Sequence, residues 1–338
     1  MILVTGGAGY IGSHTVVELQ QRGYEVVIID DLSNSRVEVV ENIAKITGKK
    51  PHFEQFNLSD NMKTAAFFAN NHIDAIIHFA AYKYVGESVT DPLRYYYNNF
   101  VSTLNLLQAV KKHDIRNVVF SSSCTVYGQA EQLPVTEQTP IKQAECPYGN
   151  TKQVIEEILK DICLADRQLQ IISLRYFNPI GAHHSSLIGE LPFGIPQNLV
   201  PYITQTAIGK LECLQVFGND YNTIDGTCLR DYIHVEDLAK AHEIALDRIL
   251  NNINQRNYEV FNIGTGKPSS VLEVIQSFEE MSGRKLPYKI VGRRVGDIEK
   301  IWADTTYANK VLGWEAQKTL NEMMFSAWEW EKRLKIVT

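Results

Sequence analysis

A doubly wound α/β fold, with helices on both faces of a parallel sheet, is what this chain of 338 residues predicts. Two patterns carry the expectation. The first fourteen residues, Met1 to His14, run from a short apolar strand through a glycine-rich turn into a helical apolar face. Downstream, short β-branched runs alternate with long amphipathic stretches as far as Leu174.

The turn comes first. Ile2 to Val4 is long enough for one buried strand, and Gly6, Gly9 and Gly12 follow at intervals of three. Gly7-x-Gly9-x-x-Gly12 also satisfies the stricter fingerprint of a Rossmann-type nucleotide site. Strand, glycine turn and helix N-terminus together offer backbone N–H groups and the positive helix end to a pyrophosphate. A glycine triplet alone is weak evidence, so the next strand decides. Glu25 to Asp30 (E-V-V-I-I-D) is a second buried strand that ends in a carboxylate 18 residues after Gly12. An acid there accepts hydrogen bonds from the adenosine ribose and repels a 2′-phosphate, which predicts NAD rather than NADP.

The alternation then continues. His52–Phe56, Asp74–Phe79, Val118–Ser123 and Leu169–Leu174 read as strands; Pro92–His113 and Tyr148 to about Arg167 read as long helices. Ligands of such sheets sit beyond the C-terminal strand ends, around Phe79-Ala80-Ala81, Ser121 to Ser123 and Asn178. From about Phe177 the texture turns rich in Pro, Gly and Asn, with one helical stretch at Leu199–Gly209. Val235–Leu250 is helical again, Tyr258–Ile263 resembles a seventh strand, and a helix near Val271–Met281, a loop at Arg293–Asp297 and two terminal helices complete the chain. The expected division is a nucleotide-binding domain over 1–176 and a smaller one over 177–338, with parts near 232–263 returning to the first.

Composition narrows the function. A net charge of −6 argues against nucleic acid, and no apolar run approaches the ~18 residues of a membrane span. Met1 to Val4 lacks the basic flank of a signal peptide. Five scattered cysteines, never spaced C-x-x-C, suggest reduced thiols in the cytoplasm rather than a disulfide frame or zinc site. No metal is expected, and the adjacent His183-His184 pair reads as polar surface.

Tyr148 and Lys152 stand four apart at the start of a helix and so share a face. The helix N-terminus, the ammonium and a cationic nicotinamide all favour phenolate, so the tyrosine pKa is expected to fall towards working pH. A hydroxyl from Ser123 would order the proton path between phenol and alcohol. These residues describe a nicotinamide enzyme that interconverts a secondary alcohol and a ketone.

Thr5–His14, His78–Ala81, Ser121–Gly128, Tyr148-x-x-x-Lys152 and Leu174–Pro179 resemble the extended short-chain dehydrogenase/reductase family. Val85–Ser88, Gly194–Leu199, Phe217–Tyr221 and Arg230–Val235 resemble its branch that inverts C4 of UDP-hexoses, and the likeness runs the length of the chain. The resemblance implies that Gly6, Gly9, Tyr10, Ile11, Gly12, Asp30, Asp31, Asn34, Ser35, Asn57, Leu58, Phe79, Ala80, Ala81, Lys83, Asn98, Ser121 and Phe177 hold NAD together with Tyr148 and Lys152. It implies that Ser123 and Tyr148 act on the sugar 4-hydroxyl, and that Lys152 orients the nicotinamide ribose. Asn178, Asn198, Leu199, Phe217 and Tyr232 are then expected at the nucleotide sugar, Arg230 and Arg294 on its diphosphate, and Asp297 near ribose or uracil. It implies a homodimer, and UDP-glucose and UDP-galactose as substrates. The two arginines suit a diphosphate, because a guanidinium fork matches phosphate oxygens.

Three departures and one rival qualify the likeness. Asn57 stands where the family usually has Asp against adenine, and Cys124 in the serine loop reads as packing. Ile301 is large at the position that admits or excludes a 2-acetamido group, which predicts a preference for UDP-glucose and UDP-galactose. Nucleotide-sugar dehydratases carry Asp-Glu just after the catalytic hydroxyl and related decarboxylases a Glu; here Cys124 and Thr125 occupy those positions.

Overall fold

The computed structural model describes residues 1–294 and 296–337. Along the chain run β1 (Ile2–Thr5), α1 (Tyr10–Gln21), β2 (Val26–Asp30), α2 (Glu38–Thr47), β3 (His52–Gln55), α3 (Asn61–Asn70), β4 (Ala75–His78), α4 (Val85–Thr90) and α5 (Pro92–Lys112). Then come β5 (Asn117–Ser123), α6 (Pro147–Ala165), β6 (Gln170–Tyr176), β7 (Asn178–Ile180), α7 (Leu199–Ala207), β8 (Leu214–Phe217), β9 (Leu229–His234) and α8 (Val235–Leu250). The last elements are β10 (Tyr258–Ile263), β11 (Pro268–Ser270), α9 (Val271–Ser282), β12 (Tyr288–Val291), β13 (Lys300–Ile301) and α10 (Leu320–Val337).

Seven parallel strands form the main sheet in the order β10-β6-β5-β4-β1-β2-β3. The strand order reverses at β1, whose neighbours are β2 and β4. That is where a doubly wound sheet opens a crevice. The sheet is buried on both sides because alternate residues feed two cores. Ile2, Val4, Ile28 and Ile77 pack with α1 and α8, while Leu3, Val27, Ile29 and Ile76 pack with α5 and α6. A third core gathers α7, α9 and α10, with Phe278 and Trp328 edge to face.

Local signals explain the helices that carry the site. No side chain caps α1 at Gly9, so its first N–H groups are left to the crevice. Pro147 occupies the first turn of α6 and the Cys146 thiol accepts from Gly149 N, a start compatible with a fixed φ and no N–H.

The strands and helices expected for the first 176 residues are found within a few positions, as is the edge strand at 258–263. One expectation fails, and six strands carry no local sequence signal. β7, β8, β9, β11, β12 and β13 have six residues or fewer and form two small sheets by distant pairing, β11-β9-β13 with β7, and β12-β8. Such short strands leave no period to detect. In place of two terminal helices there is α10 alone, preceded by a five-residue π-helical segment, Ala308–Leu312. The expected loop at Arg293–Asp297 includes Val295, which lies outside the described residues.

Beneath the crevice lies a buried ion pair. Arg175 of β6 forks onto Glu156 of α6, Nε to Oε1 at 2.9 Å and Nη2 to Oε2 at 2.5 Å, while the Ser122 hydroxyl donates to Glu156 Oε1 at 2.6 Å. Removing one partner of such a pair strands the other charge. Glu156→Gln is expected to cost about 3–5 kcal/mol of stability, read as a shifted urea midpoint; a change under about 1 kcal/mol would show that Arg175 finds another partner.

Candidate active site

The crevice runs along the C-terminal ends of β1, β2, β4, β5 and β6 and on to the loops after β7 and β12. Its first half fits a dinucleotide. Gly6 has φ +69°, and a Cβ there would sit 2.9 Å from Ala80 N, so the β1 and β4 turns touch. A Cβ on Gly12 would lie 2.2 Å from Gly6 O. Only glycine lets α1 start this close to the turn. At the end of β2 the Asp30 carboxylate accepts from Ala8 N (3.1 Å), Leu32 N and Ser35 Oγ (both 2.9 Å). Those bonds hold the carboxylate at the crevice wall with acceptor capacity to spare, although burial raises its pKa.

Asn57 is tied down on both sides of its amide. Its Nδ2 donates to Asp31 Oδ2 at 2.6 Å and to Asn98 Oδ1 at 3.2 Å, and its Oδ1 accepts from Ser59 N at 2.8 Å. One lone pair of Oδ1 is left for a ligand, and the amide pairs with an Asp31 carboxylate that an aspartate would repel.

The second half carries cations. Arg230 and Arg294 both line the crevice, as do Asn178, Asn198, Asp297 and Ile301. Arg230 Nη1 donates to Leu229 O at 2.9 Å. Arg294 Nη2 meets Asp297 Oδ1 at 2.8 Å and its guanidinium lies over Phe217, 5.4 Å from the ring centre. All the residues expected at the cofactor line the crevice, Gly12, Asn34, Leu58, Phe79, Ala81, Lys83, Ser121 and Phe177 among them. Leu199, Phe217 and Tyr232 do not. Leu199 and Tyr232 pack into the third core, and Phe217 lies beneath Arg294.

Where the halves meet stand Ser123, Tyr148 and Lys152, buried and lining one wall. Lys152 Nζ donates to Ser121 O at 2.7 Å and sits 4.8 Å from the Phe120 ring centre and 5.9 Å from that of Tyr148. The protein groups alone push the Tyr148 pKa up, opposite in direction to the fall expected beside a cationic nicotinamide. Burial pushes the phenol well up, Tyr176 adds to the rise, and only the Ser123 hydroxyl, hydrogen-bonded to it, opposes them noticeably. Desolvation acts on the lysine as well: burial brings Lys152 down to about 7, against the pull of Glu156.

Glu190 lines the crevice with no sequence signal of a role. Glu190 accepts from Asn198 Nδ2 at 2.6 Å and pairs with Lys83 Nζ at 3.3 Å, joining one residue expected at the cofactor to one expected at the sugar. It is a lone acid in a Gly/Pro-rich loop. Tyr176, whose hydroxyl meets Ser121 Oγ, was within reach: it ends a strand pointing into the crevice. Tyr10, expected at the cofactor, also sends its hydroxyl to Gly181 O at 2.6 Å, fastening α1 to the loop after β7.

The model of the NAD dependent epimerase/dehydratase family matches residues 2–264. The chain belongs to this family. A UDP-glucose 4-epimerase of Bacillus subtilis is 51% identical over 330 residues, 98% of this chain and 96% of the relative. The solved epimerase of Stenotrophomonas maltophila, with bound NAD and formylated UDP-arabinopyranose, superposes with a TM-score of 0.95 at 48% identity, covering 100% of this chain and 99% of that one. That of Bifidobacterium longum, in complex with NAD+ and UDP, gives 0.95 at 47% identity over 98% of each chain. The extended short-chain dehydrogenase/reductase likeness and the doubly wound fold read from the sequence accord with this membership.

The lysine supplies a test. Unfolded, Lys152 titrates near 10.4; folded, it titrates at about 7. Between those values the unfolded chain binds more protons, so stability rises with pH across that window. Lys152→Met is expected to remove that rise: the stability difference between variant and wild type shrinks from pH 7 to pH 10 in urea titrations. A difference independent of pH would mean the lysine is not desolvated.

Proposed function

We infer that this family member inverts C4 of a UDP-hexose, interconverting UDP-galactose and UDP-glucose through a 4-keto sugar with NAD as cofactor. The observation that carries the reading is Tyr148, flanked by Ser123 and Lys152, at the junction of a dinucleotide-shaped half-crevice and an arginine-bearing one. Positions 124 and 125, where dehydratases carry acids, are cysteine and threonine, and the thiol is buried and pushed up to about 12.

In this reading each residue takes a definite role. The N–H groups at the start of α1 receive the pyrophosphate and Asp30 the adenosine ribose. Arg230 and Arg294 clamp the UDP diphosphate; Arg294 exchanges part of its pairing with Asp297 for phosphate. Tyr148 Oη takes the proton of the sugar 4-hydroxyl and later returns it, with Ser123 ordering the path. When bound, NAD supplies reversible hydride acceptance at C4 and a ring charge that favours phenolate. Anchoring the diphosphate while leaving the hexose few fixed partners lets the keto sugar turn its other face before the proton returns. Ile301, fully buried against Cys124 and Phe177, narrows the sugar end.

Residues 1–176 serve the cofactor in this reading and 177–338 the nucleotide sugar, with α8 and β10 packed back onto the first sheet. Among the described residues no helix is long and apolar enough to cross a membrane. Five free thiols, four of them buried, support a reducing cytoplasm.

Proton NMR of UDP-galactose with the purified protein is expected to show UDP-glucose growing to a fixed ratio without accumulating NADH. Tyr148→Phe should lower kcat at least ~100-fold, and UDP-N-acetylglucosamine should give a smaller kcat/KM than UDP-glucose. A 4-keto-6-deoxy product, or unchanged turnover in Tyr148→Phe, overturns the reading.

A homodimer through α5 and α6 is supported by Leu93, Tyr97 and Leu164, apolar side chains 79%, 65% and 63% exposed on those helices. Light scattering is expected to give twice the chain mass of 38.3 kDa; a single-chain mass refutes it.

A further inference from the structure

A titratable cluster with metal-ligand chemistry lies outside the crevice. The loop after β7 carries His183 and His184, and the first turn of α8 carries Glu236. One ligand atom from each, an imidazole nitrogen or a carboxylate oxygen, lies within 4.8 Å of the other two. We propose that these three residues form a binding site for a borderline divalent transition ion of the Zn²⁺ and Co²⁺ kind, stapling the loop after β7 to α8.

The geometry argues against an ordinary surface pair. His183 is buried, and its Nδ1 accepts from Ser185 N at 3.2 Å and lies 2.8 Å from Ser185 Oγ, two contacts that fix the orientation of the ring. Its Nε2 stands 3.9 Å from Glu236 Oε1, too far for a hydrogen bond. Metal bonds of about 2.0–2.1 Å place tetrahedral ligand atoms roughly 3.4 Å apart, so this gap is near the one an ion spans. His184 Nδ1 is 2.9 Å from the same carboxylate oxygen and its ring is 77% exposed, free to turn into place.

The carboxylate is preset. Glu236 Oε1 accepts from His184 N at 3.0 Å, and Glu236 N donates to His234 Nδ1 at 3.0 Å. Among the described residues its ion-pair partners are all histidines, with no lysine or arginine within 4 Å. A further buried imidazole adjoins the site: His14, its ring centre 6.2 Å from that of His183, binds Tyr10 O through Nδ1 and has no partner at Nε2. Two imidazoles and one carboxylate suit Zn²⁺, Co²⁺ or Ni²⁺ rather than Mg²⁺ or Ca²⁺, which want oxygen throughout. The reading of His183-His184 as mere polar surface overlooks Glu236, 52 residues away in sequence.

The stapled loop leads into Gly189 and Glu190 of the crevice wall, so the ion would brace that wall without touching the reacting atoms. The test uses the full-length, tag-free protein, stripped with a chelator and titrated with Co²⁺. Visible d–d bands saturating at one ion per chain, and displaced by Zn²⁺, are expected. His184→Ala and Glu236→Gln should each weaken Co²⁺ at least tenfold while both variants still unfold cooperatively and keep an epimerisation rate within error of wild type. No bands, or the same titration in both variants, overturns the proposal.

Discussion

Arg175 and Glu156 form the constraint on which the rest of the site depends. α6 delivers Tyr148 and Lys152, β5 delivers Ser123, and the ion pair fixes the height and rotation of the helix against the strands. The network spreads further. Arg175 Nη1 donates to Tyr127 Oη at 3.1 Å, Tyr127 donates to Asn262 Oδ1 at 2.6 Å, and Asn262 Nδ2 donates to Val135 O at 2.9 Å. One guanidinium thus registers α6, β5, β6, β10 and the loop at 135. Buried charge is costly, and a hydrophobic replacement of the whole set could be as stable. What this polar set supplies is a single registration: each member has only one geometry in which it is satisfied.

Burial sets the chemistry too. The same dry surroundings that hold Lys152 and Tyr148 raise the phenol and lower the amine, so each is pushed towards its neutral form. Helix position, a neighbouring amine and a cationic nicotinamide, argued from sequence, favour the opposite for the phenol. Among the protein groups alone desolvation wins, because the pair is enclosed by Phe120, Ser121 and Tyr176 rather than by water.

The two halves of the crevice are coupled by short links. Tyr10 reaches from α1 to Gly181, and Glu190 bridges Lys83 to Asn198. Glu190 thus holds one side chain from each half of the crevice in place through its carboxylate.

The first 176 residues wrote their own fold: Ile2 to Val4, Gly6 to Gly12 and Glu25 to Asp30 act through neighbours in sequence, and strand and helix periods survive in the local pattern. Tyr148 with Lys152 was legible for the same reason, since spacing on one helix is a local fact. Tertiary structure alone decided what depends on distant partners. The strand at 229–234 exists because 178–180, 268–270 and 300–301 come to pair with it. Leu199 and Tyr232 pack into the third core because of what lies behind them, Phe217 lies beneath Arg294, and Glu190 enters the crevice on a loop that has no period at all. The ionisation of Tyr148 belongs with these, because the dielectric around a side chain is set by the whole fold and by nothing within a few residues of it.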